Sequence, residues 1–280
     1  QKASLPFGGL NAVVVDRLAR IFMSPGNIYE PQGQGEDFWR FAPGMTAAGF
    51  RKGDIIQNTF SSHLTPAGFM FDGAARSLGC VVVPAGTGQT DLQVQIAADV
   101  GVTGYTGTPS FLYALLKRGR EVDRKLNIEV AFVSGEMLPN SLRDELENDF
   151  GVRVLQGYGI ADLGLVAYEC AEKKGMHLHH NCIVEIIDIA TGNRCAPGEV
   201  GEVVVTVFDE AYPLIRFGTG DLSSVMEEAT CACGRTSPRL AGWLGRVGDA
   251  VKVRGLFIRG SQIDGVMKNF PEVVRYQAIV

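Results

Sequence analysis

Three stretches of this 280-residue chain join charge-handling side chains to glycines that let a ligand approach the backbone. The first, Gln156-Gly157-Tyr158-Gly159-Ile160-Ala161-Asp162, follows the apolar run Val152-Arg153-Val154-Leu155. A strand ending in Gly-aromatic-Gly exposes amides beside a flat ring. Adenine could stack on Tyr158, and Asp162 could hold Mg²⁺ near a phosphate. The same residues also read as a Gly-rich turn with a packed tyrosine. The second stretch runs from Pro213 to Leu222 and carries Gly218-Thr219-Gly220-Asp221. Asp221 at a strand end can accept two hydrogen bonds from a ribose diol, or make an Asx turn. The third runs from Gly242 to Gly255. Arg246 could reach a ribose or phosphate oxygen, and Gly248 could absorb a large backbone rotation. The alternative for this run is a surface turn of solvated charges.

A fourth constellation points to metal chemistry. Cys170 and His177 lie seven positions apart, and Cys231 and Cys233 flank a single residue further on. Three thiolates and one imidazole make a closed tetrahedral set for structural Zn²⁺. His179, His180 and Cys182 are rival ligands, and four unrelated residues with reduced thiols are the plain alternative.

The elements that must position these groups follow from the apolar patterning. Cys80-Val81-Val82-Val83-Pro84 and Glu129-Val130-Ala131-Phe132-Val133 read as buried strands. Helical patterns cover Ser110 to Arg120 and Asn140 to Phe150, the second with Asn140 as N-cap and with Leu142 and Leu146 on one face. Strands alternating with helices predict an α/β core with a mainly parallel sheet over residues 1–168. After Tyr168 the runs become strand-like and turn-rich, as in Val184-Glu185-Ile186-Ile187-Asp188 and Gly201-Glu202-Val203-Val204-Val205-Thr206. This predicts a β-rich subdomain over 169–244, followed by a hinge and the start of a small C-terminal lid domain over 245–280.

Composition narrows the partners. The chain is 46% hydrophobic and 20% charged, which suits a globular core. A net charge of −5 argues against phosphate backbones as partners, so nucleic acid is not expected. No apolar run reaches the length of a membrane span, so no membrane partner is expected. Six cysteines in a chain this long are too sparse for a disulfide scaffold and point to the cytoplasm. The chain opens on Gln1 without a signal-like segment or an initiator methionine, which predicts a fragment or a processed form.

The order and spacing of these stretches resemble the adenylate-forming superfamily, and within it the phenylacetate–CoA ligase group. Tyr158-Gly159-Ile160-Ala161-Asp162 is similar to that group's Tyr-Gly-Leu-Ser-Glu. Ile215-Arg216-Phe217-Gly218-Thr219-Gly220-Asp221-Leu222 is similar to Ile-Arg-Tyr-Arg-Thr-Gly-Asp-Leu. Cys231-Ala232-Cys233-Gly234-Arg235-Thr236-Ser237-Pro238-Arg239-Leu240 is similar to Cys-x-Cys-Gly-Arg-Thr-x-Pro-Arg-Leu. The resemblance covers nearly the whole chain.

What the resemblance implies is a two-step reaction. A carboxylic acid, aryl or arylacetic, attacks the α-phosphate of ATP to give acyl-AMP. The thiol of coenzyme A then displaces AMP. Tyr158 and Gly159 would hold adenine, with adenine or backbone contacts from Ser134, Gly135 and Glu136. Asp162 would hold Mg²⁺, Asp221 the ribose, and Arg246 ribose and phosphate. Gly248 falls at the domain hinge. The acid pocket would lie along Phe60 to Phe71, with Phe60 stacking on an aryl ring and His63 and Thr65 reshaping the pocket. A homodimer is implied. The phosphate loop, rich in Ser, Thr and Gly in the group, corresponds to Met23 to Pro31. Ser24 and Gly26 persist there, the threonine pair is lost, and Glu30 brings a negative charge. Chain is expected to be missing at both ends, including the lid-domain Lys, so adenylation by this piece alone should be poor. A non-catalytic AMP- or acyl-adenylate-binding protein derived from a ligase, a zinc-ribbon interaction module and an amino-acid-activating enzyme are the competing readings.

Overall fold

The computed structural model describes residues 4–24, 27–228, 230–253, 256–259, 263, 266–267, 269–270 and 272–273. Gly26, predicted above as a phosphate contact, lies outside the described residues, as do Arg254, Gly255, Ser261, Gln262 and Asp264.

The chain opens with a hairpin of β1 (Arg20–Ser24) and β2 (Ile28–Gln32). Alternating elements follow: α1 (Ala42–Ala48), β3 (Ile55–Asn58), α2 (Ala67–Ser77), β4 (Val81–Pro84), α3 (Thr90–Val100), β5 (Gly104–Gly107), α4 (Pro109–Glu121), β6 (Val130–Val133), α5 (Asn140–Asp144) and β7 (Arg153–Ile160). The remainder is strand-rich: β8 (Gly164–Glu169), β9 (Met176–Leu178), β10 (Cys182–Ile187), β11 (Gly201–Val207), β12 (Phe217–Ser223), β13 (Arg239–Leu240), β14 (Ala250–Val253) and β15 (Leu256–Arg259).

Among the described residues the main sheet has eight strands in the order β13-β9-β8-β7-β6-β5-β3-β4. Strands β3 to β7 pair in parallel, and β8, β9 and β13 extend the sheet antiparallel. The parallel part is buried on both faces. Val130 and Phe132 of β6 pack with Met45, Phe71 and Ala74 of α1 and α2. Ala131 and Val133 face the opposite way and pack with Val94, Leu112 and Leu116 of α3 and α4. Period-two alternation of side chains explains why every residue of this strand had to be apolar. A second, antiparallel sheet, β10-β11-β12, has Val184, Ile186, Val203 and Val205 packed with Val166, Ala167 and Met176.

Two expectations are corrected. The Cys80 to Pro84 run is an edge strand rather than a buried one: Val81 is 59% exposed, because β4 ends the sheet. Asn140 is the first helical residue and not the N-cap, which is Pro139, and α5 passes after one turn into a π-helical turn at Glu145–Asp149. The expected division at 168/169 falls inside β8, and the main sheet takes β9 and β13 from the stretch beyond it. No described helix is long and apolar enough to cross a membrane.

In the order β4-β3-β5-β6-β7 the chain moves outward from β3 to β4 and then returns past β3 to β5. Such a reversal opens a crevice at the carboxyl ends of the strands, the usual ligand position in open α/β sheets. Asn58, Gly107 and Val133 end three of these strands, so the loops beginning at Thr59, Thr108 and Ser134 rim that crevice.

Candidate functional site

A cleft of about 420 Å³ lies at the carboxyl ends of β6 and β7, lined by Ser134, Gly135, Glu136, Gly157, Tyr158, Asp221 and Trp243 among others. Its walls come from five separate segments of the chain. Ser134 is fixed by donating its hydroxyl to the Gly157 carbonyl at 2.8 Å, and its amide bonds the Gly107 carbonyl. Gly135 has φ of +81°, a conformation that favours glycine and turns the exposed Glu136 toward the rim. Ser110 donates to Glu136 at 2.6 Å. Gly157 allows β7 to lie against the core: a Cβ there would sit 2.5 Å from Phe132 Cζ. The register of β7 against β8 shifts between Tyr158 and Gly159, which re-aims the tyrosine at the end of its strand.

The cleft floor is built around Asp221, which is 8% exposed. Tyr158 donates its hydroxyl to Oδ2 at 2.8 Å, and Trp243 donates its indole Nε1 to Oδ1 at 2.9 Å. Arg246 places Nη1 3.1 Å from the same Oδ1 and 3.0 Å from the Thr219 carbonyl. The backbones of Asp221 and Arg246 also form an isolated antiparallel bridge. Burial, countered by the Thr219 hydroxyl and reinforced by the Asp221 charge, pushes the Tyr158 phenol far above its ordinary range, so it stays a donor. Asp221 therefore does not form the Asx turn considered from sequence; its carboxylate faces the cleft. Thr219 and Trp243 were not singled out by sequence, because the contact needs β12 to meet the 242–246 segment, which no spacing reveals.

Asp162 occupies the turn between β7 and β8 and does not line this cleft. Burial raises its carboxyl above the usual range. Its charge acts on Glu30 of β2, and Ser24 at the end of β1 also acts on Glu30, so these three come together as a second locus. Glu30 is 1% exposed, and neither carboxylate oxygen meets hydrogen-bond geometry with a described partner. Burial pushes its carboxyl up to about 7, against the opposing effect of Ser24. The negative charge expected at Glu30 is thus about half suppressed at neutrality and largely suppressed below it.

Phe60 stacks on Phe71 with ring centroids 4.5 Å apart and an interplanar angle of 17°. The position a Gly135 side chain would take is 3.5 Å from Phe60 Cε1, so the ring borders the same crevice. Thr65 donates to the Ser61 carbonyl at 3.1 Å and is half-buried, while His63 is exposed. Gly248 sits in a short 3₁₀ turn, Val247–Asp249, with open space around its missing side chain.

Below the cleft, Arg143 of α5 makes a bidentate pair with Glu169 of β8, at 2.8 and 2.9 Å, and donates to the Val154 carbonyl. Glu169 also accepts from the amide and side chain of Gln156. This buried pair ties helix and sheet together one residue from Gly157.

The four predicted metal ligands converge. Donor atoms of Cys170, His177, Cys231 and Cys233 all lie within 4.8 Å of one another. Cys170 and Cys231 sulfurs are 3.7 Å apart, and Cys233 Sγ is 3.3 Å from His177 Nε2. Zn–S and Zn–N bonds in a tetrahedron would set these edges near about 3.8 and about 3.6 Å. His177 Nδ1 faces the Ser237 hydroxyl at 3.2 Å, the outer contact that orients a ligating imidazole. Burial lowers the His177 pKa and keeps the ring neutral, as a ligand must be. His179 is not in the set; its Nδ1 accepts from the Asn181 amide.

A model of the AMP-binding enzyme family matches residues 39–207, well over half of the chain. The chain belongs to the AMP-binding enzyme family. Among curated family relatives, phenylacetate-coenzyme A ligase of Thermus thermophilus is 33% identical over 98% of this chain and 65% of its own length. The Pseudomonas putida protein of the same name is 30% identical, over 91% of this chain and 61% of its own. The chain thus spans less than two thirds of the length of these two relatives. Of solved structures, an open conformation of 2-hydroxyisobutyryl-CoA ligase, in complex with 2-HIB-AMP and CoA, superposes with a TM-score of 0.86 at 25% identity, over 97% of this chain and 62% of that one. ATP-bound MatB of Rhodopseudomonas palustris shares the fold, with a TM-score of 0.67 at 17% identity over 92% of this chain and 54% of that one.

Proposed function

We propose that this chain is the nucleotide- and acid-binding part of an AMP-forming acid–CoA ligase. The observation that carries the reading is Asp221: a buried carboxylate at the floor of a cleft between β6, β7 and β12, with Tyr158 beside it. The family match and the likeness to phenylacetate- and 2-hydroxyisobutyryl-CoA ligases support it.

In this reading the adenosine of ATP enters the cleft, with the base against Tyr158 and the 134–136 loop and the ribose diol on Asp221. The acid lies beside Phe60, at the β3–β5 reversal. Its carboxylate oxygen attacks the α-phosphorus, the bond to the bridging oxygen breaks, and pyrophosphate leaves. In the second half-reaction the CoA thiol adds to the acyl carbon and AMP departs with the electron pair. Positioning and fixed charge supply the rate. Arg246 offers a cation 3.1 Å from Asp221, next to where ribose and α-phosphate would meet. Mg²⁺ fits at Asp162, where Glu30 adds two carboxylate oxygens without a described partner; when bound, it would neutralise polyphosphate charge. Structural Zn²⁺ fits Cys170, His177, Cys231 and Cys233, and would staple β8 and β9 to the 231–233 loop.

The test is pyrophosphate release by the full-length protein with a panel of arylacetic, aryl and short 2-hydroxy acids. Acid-dependent release followed by CoA thioester formation is the expected result; no release with any acid contradicts it. A second reading, a nucleotide-binding protein without turnover, is favoured by one observation. Glu30 is buried in the hairpin that would serve as phosphate loop, which lacks the threonine pair. AMP binding without turnover would select it. The same account expects a cytoplasmic homodimer, checked by sedimentation velocity and cell fractionation.

A further inference from the structure

The Asp221 carboxylate is nearly saturated by the protein itself. Two oxygens offer about four acceptor positions. Tyr158 fills one on Oδ2 and Trp243 one on Oδ1, and Arg246 Nη1 stands 3.1 Å from Oδ1 as an ion pair, crowding that oxygen's second position. A ribose 2′,3′-diol donates two hydrogen bonds. A diol that engages both oxygens therefore has to displace a resident group from Oδ1.

Their anchoring decides which. Tyr158 sits in a paired strand, and its hydroxyl also reaches Thr219 at 3.4 Å. Arg246 is held through its backbone bridge to Asp221 and its second bond to the Thr219 carbonyl. Trp243 is 43% exposed, and among the described residues its side chain hydrogen-bonds to Asp221. It stands between Gly242 at φ +109° and Gly245 at φ +126°, neither of which β-carbon sterics restrain. Its ring also lines the cleft.

We propose that Trp243 is a ribose gate: its indole N–H competes with the sugar diol for Asp221 and swings away when a nucleotide with a free 2′,3′-diol enters. The proposal rests on the nucleotide reading of the cleft. It makes Trp243 a selectivity residue, since a sugar without the diol has nothing to exchange for the indole.

The experiment follows tryptophan emission and binding heat together. The chain has two tryptophans. Trp39 is 3% exposed in an aromatic core with Phe22 and Phe38, so emission changes report Trp243. This chain is titrated with AMP and with 2′,3′-dideoxy-AMP, then again as Trp243→Phe, which keeps a ring and removes the N–H. The expected result is an emission change with AMP and little with the dideoxy analogue. Loss of one competing hydrogen bond to a charged group should tighten AMP binding about ten- to a hundredfold in Trp243→Phe and leave the analogue unchanged. AMP binding with static wild-type emission, or with equal or weaker affinity in the variant, overturns the gate while leaving the nucleotide site intact. No AMP binding by either folded protein removes the nucleotide reading and the gate with it. Emission of the wild type stands alone should the variant fail to fold.

Discussion

Replacing Glu30 with Gln should make folding stability less sensitive to pH between about 4.5 and 7. The carboxyl is 1% exposed, has no described hydrogen-bond partner, and is pushed from an ordinary value of 4.5 to about 7 by burial. Between those values the folded chain holds a proton that the unfolded chain has released. The folded state is thus favoured at low pH and loses ground as pH rises through 7. At 1.36 kcal/mol per pH unit the full difference is about 3 kcal/mol above neutrality, and it shrinks to about 1 kcal/mol at pH 5. Gln has nearly the same shape and no proton to lose. Urea unfolding at pH 5, 7 and 9, in EDTA to exclude divalent cations, should show the stability of Glu30→Gln minus that of wild type rising by about 2 kcal/mol from pH 5 to pH 9. In thermal scans a gain of that size is roughly 4–8 °C. Parallel pH profiles for the two proteins would refute the reasoning and mean that Glu30 is ionised and satisfied in the folded chain.

Two further outcomes follow from the same geometry. Arg143→Met strands the Glu169 carboxylate among buried groups and removes a bond to the Val154 carbonyl; it should cost about 3–5 kcal/mol in urea unfolding, whereas an exposed pair such as Arg124–Asp99 should cost under about 1 kcal/mol when broken. Protein purified from a zinc-supplemented culture should carry one zinc per chain by elemental analysis, and Cys231→Ser should reduce that content and lower the melting temperature, with a metal-free wild type contradicting the four-ligand site.

Much of the site was legible because its residues announce themselves locally. Tyr158, Asp221 and Arg246 stand in Gly-punctuated motifs, and the structure brings all three to one cleft. The Cys/His set was legible from residue type alone, and its donor atoms do converge. What was not legible depends on long-range pairing or burial. Trp243 reaches Asp221 only because the 242–246 segment crosses β12. Glu30 read as a negative charge in the phosphate loop, and only its place in the hairpin buries it. The parallel core was readable in the apolar run of β6, while β4 misled because an edge strand can carry the same valines as a central one. Asp162 and Tyr158, neighbours in one motif, line different places, since Tyr158 is in β7 and Asp162 in the turn that follows it.

The most direct test of the central claim is calorimetric titration of this chain with AMP, repeated on Asp221→Ala. The account predicts measurable AMP binding that Asp221→Ala abolishes or weakens at least about tenfold, the share expected of two hydrogen bonds to a charged group. Equal binding by both proteins, or none by a folded wild type, would contradict the assignment of Asp221 as the ribose site.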